Sequence, residues 1–217
     1  MTRSSPSRPP ATSPAESRVR ATSRSRPPCT GAGERATTRR SSTRSLEFIA
    51  GAPRAVAAER VLATVLFTDI VRSTERAARL GDREWRVVLD EHDAYCERLT
   101  RRFGGNVLKQ TGDGMLAVFD GPARAVQCAQ ELRAELDAVG IPIRAGLHTG
   151  EVERRGGDVG GIAVHIAARV AGLAGEGEVL VSRTVRDLTV GSELEFVDRG
   201  AHELKGIPEP WHIYEAV

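Results

Sequence analysis

The stretch VLATVLFTDI, residues 61–70, is an unbroken apolar and β-branched run that ends in an acid. Such a run predicts a strand that is covered on both faces. Farther along, residues 106–119 read NVLKQTGDGMLAVF, in which two apolar segments flank a Gly-Asp-Gly turn. This pattern predicts a β-hairpin whose turn carries Asp113. The first run ends in Asp69-Ile70, so one acid lies at the end of the predicted strand and a second lies in the turn of the predicted hairpin.

The segments between these strands show the periodicity of helices. Apolar residues recur at intervals of three and four from Trp85 to Phe103, after Asp82, which we expect to cap the helix. A second helix is predicted from Pro122 to Val139. The remaining segments predict a strand pair at 141–153, a helix at 161–174 and strands at 178–182, 193–198 and 211–217. The order β-α-β-β-α-β predicts an α+β fold with a ferredoxin-like core, an antiparallel sheet, helices on one face and extra C-terminal strands.

The first 45 residues differ in composition from the rest of the chain. They hold ten arginines against two acids, a net charge of +8, and no Phe, Tyr or Trp. The rest of the chain has 21 basic and 27 acidic residues, a net charge of −6. A segment with so little to bury does not offset its ordering entropy, so we expect a disordered tail at 1–45, a linker at 46–59 and a folded domain at 60–217.

The tail has three interpretations. It is a solvated tail, or it is upstream sequence translated from an early start codon, and in both cases we expect no specific nucleic-acid partner. The alternative is that its arginines are attracted to nucleic acid or to an anionic membrane.

Hydropathy and cysteine usage predict a cytoplasmic protein without a membrane segment. No apolar run approaches the roughly 18 residues that a bilayer crossing needs, and no secretory leader pattern is visible. Cys96 and Cys128 lie on the apolar faces of predicted helices, so we interpret both as reduced core residues.

Two aspartates follow predicted strands, Asp69 after VLFT and Asp113 in the TGDG turn. In a ferredoxin-like sheet the first strand and the central hairpin are neighbours, so both carboxylates can meet at one sheet edge. Mg²⁺ prefers a few carboxylates together with phosphate oxygens, and two such cations about 4 Å apart can hold the attacking and leaving oxygens of an in-line displacement. Taken singly, Asp69 also suits a helix cap and Asp113 an ordinary Asp-Gly turn.

Four motifs, in order, carry a family resemblance. FTDIVRST (67–74), LKQTGDG (108–114), RAGLHTGE (144–151) and DVGGIAVHIAARV (158–170) resemble the motifs of class III adenylyl and guanylyl cyclases. The ending LKGIPEPWHIYEAV (204–217) is also typical of bacterial members. The resemblance implies a nucleotide cyclase catalytic domain that converts ATP to 3′,5′-cyclic AMP and pyrophosphate in intracellular signalling.

The resemblance also implies the metal and base sites. Asp69 and Asp113 would hold two divalent cations, Mg²⁺ or Mn²⁺, with the Ile70 carbonyl as a further ligand. Lys109 and Asp158 fall where adenylyl cyclases read the base. A lysine can donate to N1 of adenine while a carboxylate accepts from the N6 amino group. Without these neighbours, a lysine in a strand would be interpreted as a solvated charge.

Three further residues correspond to phosphate-binding and catalytic positions of the family. Arg169 matches the arginine that stabilises charge on the phosphates as pyrophosphate leaves, and Arg144 matches a second phosphate-facing arginine, although it also suits a surface strand. His165 stands where the family has an asparagine that donates a hydrogen bond in the transition state. It lies four residues before Arg169 and therefore on the same helical face. The substitution is compatible with a working, a retuned or a feeble enzyme.

The resemblance further implies a homodimer, in which one subunit supplies the metal ligands and the other the base-reading, histidine and arginine side chains. Two alternatives stay open. One is a catalytically weak or inactive cyclase-like module that binds nucleotide and transmits a signal, which His165 favours. The other is a different two-metal nucleotidyl enzyme on the same core, such as a diguanylate cyclase or a polymerase palm. A regulatory domain, upstream or on a separate chain, is a further expectation.

Overall fold

The strands and helices follow one another along residues 59–217, which are the residues that this computed structural model describes. The predicted tail at 1–45 and all but the last residue of the predicted linker lie outside the described residues. The strands are β1 (Glu59–Ile70), β2 (Asn106–Gln110), β3 (Gly114–Phe119), β4 (Ile143–Arg155), β5 (Asp158–Gly160), β6 (Val179–Ser182), β7 (Phe196–Glu203) and β8 (Pro210–Ala216). The helices are α1 (Ser73–Leu80), α2 (Asp82–Arg102), α3 (Pro122–Ala138), α4 (Ile162–Leu173) and α5 (Arg183–Leu188).

One mixed sheet contains all eight of these strands, in the order β2-β3-β1-β4-β6-β8-β7, with β5 paired to β4. Its first four strands have the order of a ferredoxin-like core, so the predicted fold class is confirmed. Only β4 and β6 pair in parallel among the described strands. The predicted extra C-terminal strands are β6, β7 and β8, and they extend the sheet beyond β4.

The predicted strand pair at 141–153 is wrong, because this segment is a single strand, β4. Its residues pair in unbroken antiparallel register with β1, from Glu59 opposite Arg154 to Ile70 opposite Ile143. Gly146 and Gly150, within this single strand, lie under helix α4, where a side chain would collide with that helix.

Three other expectations need correction. Asp82 is the first residue of α2 and does not cap it, because Gly81 is the N-cap and no side chain caps that end. Elements α1, β5 and α5 were not predicted, since each is short and lacks a clear period. Helices also lie on both faces of the sheet, whereas the sequence predicted one face. Helices α2 and α3 pack on one face and α4 packs on the other.

Both faces of β1 are covered, as its apolar run predicts. Leu66 and Ile70 belong to the cluster beneath α2 and α3, whereas Val65 belongs to the cluster beneath α4. Cys96 and Cys128 are buried free thiols, as predicted. Burial raises the pKa of both thiols, so they remain protonated. Within residues 59–217, none of the helices combines the length and apolarity that a bilayer crossing requires.

A buried histidine links three strands beneath α4. The ring of His148, on β4, forms a 2.8 Å hydrogen bond through Nδ1 with Oγ of Ser182 on β6. It also stands edge-on to the Trp211 ring of β8, with 5.3 Å between ring centroids. Burial lowers the pKa of His148 from 6.5 to about 4. The imidazole is therefore neutral in the folded protein at neutral pH.

This histidine predicts a pH dependence of stability. Its folded pKa lies below its unfolded pKa, so the unfolded chain binds more protons between about pH 4 and 6.5. Stability should be complete above pH 6.5 and fall as the pH drops toward 4, by at most about 3 kcal/mol. Urea unfolding at several pH values measures it. His148→Asn should flatten the slope, whereas the exposed His165→Asn should keep it. An equal slope in wild type and His148→Asn would contradict the prediction.

Candidate active site

The two predicted metal ligands lie side by side at one edge of the sheet. Asp69 is paired with Gly114 across β1 and β3, and the Ile70 N–H donates to the Asp113 carbonyl at 2.8 Å. The TGDG turn needs its glycines for this approach. Gly112 has φ of 93°, in the left-handed region, and a Cβ on Gly114 would lie 2.2 Å from a backbone oxygen of β1. Because N–H and C=O of one strand residue point to the same side, the Ile70 carbonyl also faces the turn.

An arginine from the neighbouring strand holds the first of these aspartates. Arg144 is directly opposite Asp69 in the register of β1 and β4. Its Nε donates to Asp69 Oδ2 at 2.9 Å, and its Nη2 contacts the same oxygen. The two side chains are 37% and 31% exposed, so the pair is accessible from solvent. The strand ends that carry Asp69 and Asp113 are called the metal edge below. The predicted phosphate-facing arginine, Arg144, therefore lies at the metal edge, beside the Asp69 carboxylate.

The predicted base-reading pair is brought together by the β4–β5 hairpin. Lys109 Nζ donates to Asp158 Oδ2 at 2.6 Å, and the Val159 N–H donates to Oδ1 at 2.8 Å. The Lys109 hydrogen bond, together with that backbone donor, lowers the pKa of Asp158. Val159 is buried in one cluster with Leu116, which anchors the hairpin over the sheet. Residues 109 and 158 are about half exposed, at 52% and 49%, as binding groups need to be.

These groups share one face of the sheet. Phe67 contacts the cluster beneath α4, and Asp69, two residues later on the same strand, points to the same side. Lys109 is paired with Leu116, which also belongs to that cluster. Residues paired across neighbouring strands point to the same face. The metal edge and the base-reading pair are therefore both on the α4 side.

Helix α4 carries the remaining two predicted residues. His165 and Arg169 are exposed and lie one turn apart. Arg169 Nε donates to the Lys205 carbonyl at 3.2 Å, which ties the helix to the loop before β8. His165 has no hydrogen bond to any other described residue. Within one chain, neither side chain contacts the metal edge.

Lys205 was missed by sequence reasoning. The LKGIPEP segment around it was noted as typical of bacterial members, but no residue in it was assigned a role. Lys205 is connected to the site only by the hydrogen bond that its backbone carbonyl accepts from Arg169. Any residue type has a backbone carbonyl, so the sequence does not indicate this contact.

Helix α4 is seated on β4 by two glycines. A Cβ on Gly146 would lie 2.0 Å from the Ala171 backbone nitrogen, and one on Gly150 would lie 2.9 Å from Ala163 Cβ. Such distances allow no side chain without moving backbone. The glycines of RAGLHTGE therefore set the height of the helix that carries His165 above the sheet.

The donor set at the metal edge suits hard divalent cations. Among the described residues no three His, Cys, Asp or Glu side chains are placed to hold a metal. Two carboxylates and one carbonyl leave several coordination positions for phosphate oxygens and water. That arrangement fits Mg²⁺ or Mn²⁺ bound together with a nucleotide, and it does not fit a closed structural zinc site.

The fold and the site define an α+β domain that carries two aspartates and a lysine–aspartate ion pair on one face of a ferredoxin-like sheet. The family model for the adenylate and guanylate cyclase catalytic domain matches residues 56–215. The chain belongs to this family, the class III nucleotide cyclases, as the four motifs indicated.

Curated relatives agree with this assignment. "Putative adenylate cyclase 3" of Rhizobium meliloti is 31% identical over 164 residues, which are 71% of this chain and 28% of that protein. An uncharacterized protein of Mycobacterium tuberculosis is 30% identical over 151 residues, covering 68% of this chain and 53% of that protein. The chain thus spans about a quarter to a half of the length of these relatives.

Solved structures share the fold. An adenylate/guanylate cyclase/hydrolase from Silicibacter pomeroyi is 28% identical with a TM-score of 0.65, over 74% of this chain and 98% of that chain. The adenylyl cyclase CyaB from P. aeruginosa has a TM-score of 0.68 at 23% identity, over 74% of this chain and 95% of that chain. The second likeness supports the fold alone.

The close packing of α4 against β4 can be tested by substituting two glycines. Gly146→Ala should destabilise the domain by about 1–3 kcal/mol or more, because its Cβ meets backbone and not a flexible side chain. Gly172→Ala, within α4 and with open space around its Cβ, is the matched control, and it should be neutral or up to about 1 kcal/mol stabilising. Urea unfolding measures both. Equal stability of the two variants would contradict the close approach of α4 to β4.

Proposed function

We propose that the domain is an adenylate cyclase that converts ATP to 3′,5′-cyclic AMP and pyrophosphate. The observation that carries this proposal is the 2.6 Å ion pair of Lys109 and Asp158, on the same sheet face as the Asp69–Asp113 edge. Family membership supports nucleotide cyclisation, and the ion pair supports the choice of base.

The base-reading pair favours adenine over guanine. The ammonium group is a pure donor, and the Asp158 carboxylate, whose pKa is lowered, is a pure acceptor. Adenine presents an acceptor at N1 beside a donor at N6. Guanine presents the reverse order, a donor at N1 beside an acceptor at O6. A donor and an acceptor held 2.6 Å apart match only one of these two orders when the ribose and phosphates fix the orientation of the base.

Asp69, Asp113 and the Ile70 carbonyl would hold two divalent cations. Such cations, when bound, lower the pKa of the ribose 3′-hydroxyl and offset the charge of the triphosphate. Arg144 Nε donates a hydrogen bond to the Asp69 carboxylate at 2.9 Å. The same guanidinium, freed from the carboxylate, would turn to a phosphate oxygen, for which its planar fork is suited.

The reaction is an in-line displacement. The 3′-oxygen attacks the α-phosphorus, the bond from that phosphorus to the bridging oxygen breaks, and pyrophosphate leaves with the electron pair. The proton of the 3′-hydroxyl passes to water or to Asp69. Positioning and charge stabilisation by Arg144 and Arg169 supply most of the acceleration.

A homodimer completes this arrangement. In one chain, His165 and Arg169 point outward from α4, away from any contact with the metal edge. Helix α4 also exposes an apolar side chain, Ile162, by 58% of its surface. A two-fold symmetric partner would bring Arg169 and His165 of one subunit to the metal edge of the other and build two equivalent sites. We place this activity in the cytoplasm, under a regulatory domain on a longer or separate chain.

A second candidate function is a nucleotide-binding signalling module with weak or no turnover. It is favoured by His165, whose imidazole replaces an amide donor and has no hydrogen bond within the described chain. Loss of one well-placed transition-state donor typically costs about 10²–10³ in rate.

Wild-type protein should form cyclic AMP from ATP with Mg²⁺ or Mn²⁺, and should use GTP less well. Asp69→Ala and Asp113→Ala should each remove activity while circular dichroism and unfolding remain as in wild type, because both side chains are at the sheet edge. Chromatography of the cyclic product and pyrophosphate release measure this outcome. More than a few per cent of wild-type turnover in either variant would refute the metal assignment.

His165 separates the two candidate functions. If it donates in the transition state, His165→Ala should lower kcat about 10-fold or more with little change in KM, and His165→Asn should preserve or raise kcat. Arg169→Ala should show the same pattern as His165→Ala. A signalling module predicts an inactive wild type that His165→Ala does not worsen. Active wild type with an indistinguishable His165→Ala would make His165 an ordinary surface residue.

A further inference from the structure

Three arginines that the proposed mechanism does not use form a row at the start of helix α1. Arg76 and Arg79, three residues apart, share one face of the helix, and Arg72 immediately precedes it with left-handed backbone. They line a cavity of about 310 Å³ together with two acids, Glu75 and Glu176. The cavity therefore carries a net charge of +1 from its side chains.

These arginines have unused hydrogen-bond donors. No carboxylate among the described residues forms an ion pair with any of the three, although Glu75 and Glu176 line the same cavity. Arg76 Nη2 donates to the Gly140 carbonyl at 2.6 Å, but its Nε is buried without a partner. Leaving a buried donor unsatisfied costs about 1–3 kcal/mol, and more on a charged group. Guanidinium donors that no carboxylate pairs with have the chemistry of an anion site.

The row begins at the metal edge and leads away from it. Arg72 follows Asp69 by three residues, and the intervening Val71 N–H is bound to the Pro142 carbonyl at 2.9 Å. Helix α1 starts at Ser73. At 1.5 Å per residue, Arg79 lies roughly 4–5 Å farther along the helix axis than Arg76. An anion released at Asp69 would meet the three guanidinium groups in sequence.

We propose that this arginine row binds the inorganic pyrophosphate that leaves the metal edge and directs its release. The proposal rests on the proposed cyclase function, since cleavage next to the α-phosphorus creates this anion. Guanidinium forks match phosphate oxygens in bidentate geometry. Glu75 and Glu176 keep the cavity close to neutral, which suits an anion that must be bound and then let go.

Binding of inorganic pyrophosphate, measured by titration calorimetry in EDTA without nucleotide, tests the proposal without turnover. Arg72→Gly with Arg79→Gln should weaken binding about 10-fold or more. Glycine also accepts the left-handed backbone of residue 72, at φ 53°, so this double variant should fold. Glu176→Gln should tighten binding. Arg83→Gln, an exposed arginine of α2 outside the cavity, is the matched control and should bind as wild type does.

Product inhibition provides the kinetic readout. In the active enzyme, the inhibition constant of pyrophosphate should rise about 10-fold in the double variant, and more than KM for ATP. An equal rise of KM would assign the row to the substrate and overturn the product assignment. Equal pyrophosphate binding by the double variant and Arg83→Gln would overturn the site itself. An inactive wild type that still binds pyrophosphate through Arg72 and Arg79 would overturn the proposed cyclase function and leave the anion site supported.

Discussion

The pairing of β1 with β4 is the constraint on which the rest of the structure depends. Twelve residues of β1 are in unbroken register with β4, while β3 occupies the other side of β1. This register places Asp69 between Gly114 on one neighbour and Arg144 on the other. A shift of one residue would turn Asp69 to the opposite face and separate all three groups. The chemistry of the metal edge is thus decided by strand register.

The other half of the site depends on how close α4 comes to the sheet. Gly146 and Gly150 allow α4 to pack directly against the backbone of β4. The buried His148 connects β4 to β6 through Ser182 and to β8 through Trp211. Such a close contact suits a helix that, in the proposed homodimer, would place His165 and Arg169 at the active site of the partner subunit. The register of β1 positions Asp69 and Asp113, whereas the glycines of β4 position helix α4. One chain therefore carries both groups of residues in separate places.

Charge is arranged along one path at the metal edge. Arg144 donates a hydrogen bond to Asp69, and Arg72, Arg76 and Arg79, which begin three residues after Asp69, line one cavity. In the proposed reaction, substrate and product are both highly anionic. The same charge that attracts a triphosphate would retain pyrophosphate, so a graded row with acids among its arginines offers a route by which the product leaves.

The sequence by itself determined the family and the ferredoxin-like core, because short motifs such as FTDI and TGDG combine strand pattern, turn chemistry and acids in a few positions. Its site residues stay predictions. It also predicted the covered strand β1 and the buried thiols. It was wrong about 141–153, which is one strand, because the length of that strand is decided by its pairing with β1. Only the tertiary structure decided that Arg144 binds Asp69, that Arg169 meets the Lys205 carbonyl and that three arginines of α1 line one cavity. Those contacts join residues distant in sequence, or depend on a helix too short to show its period, so no local pattern records them.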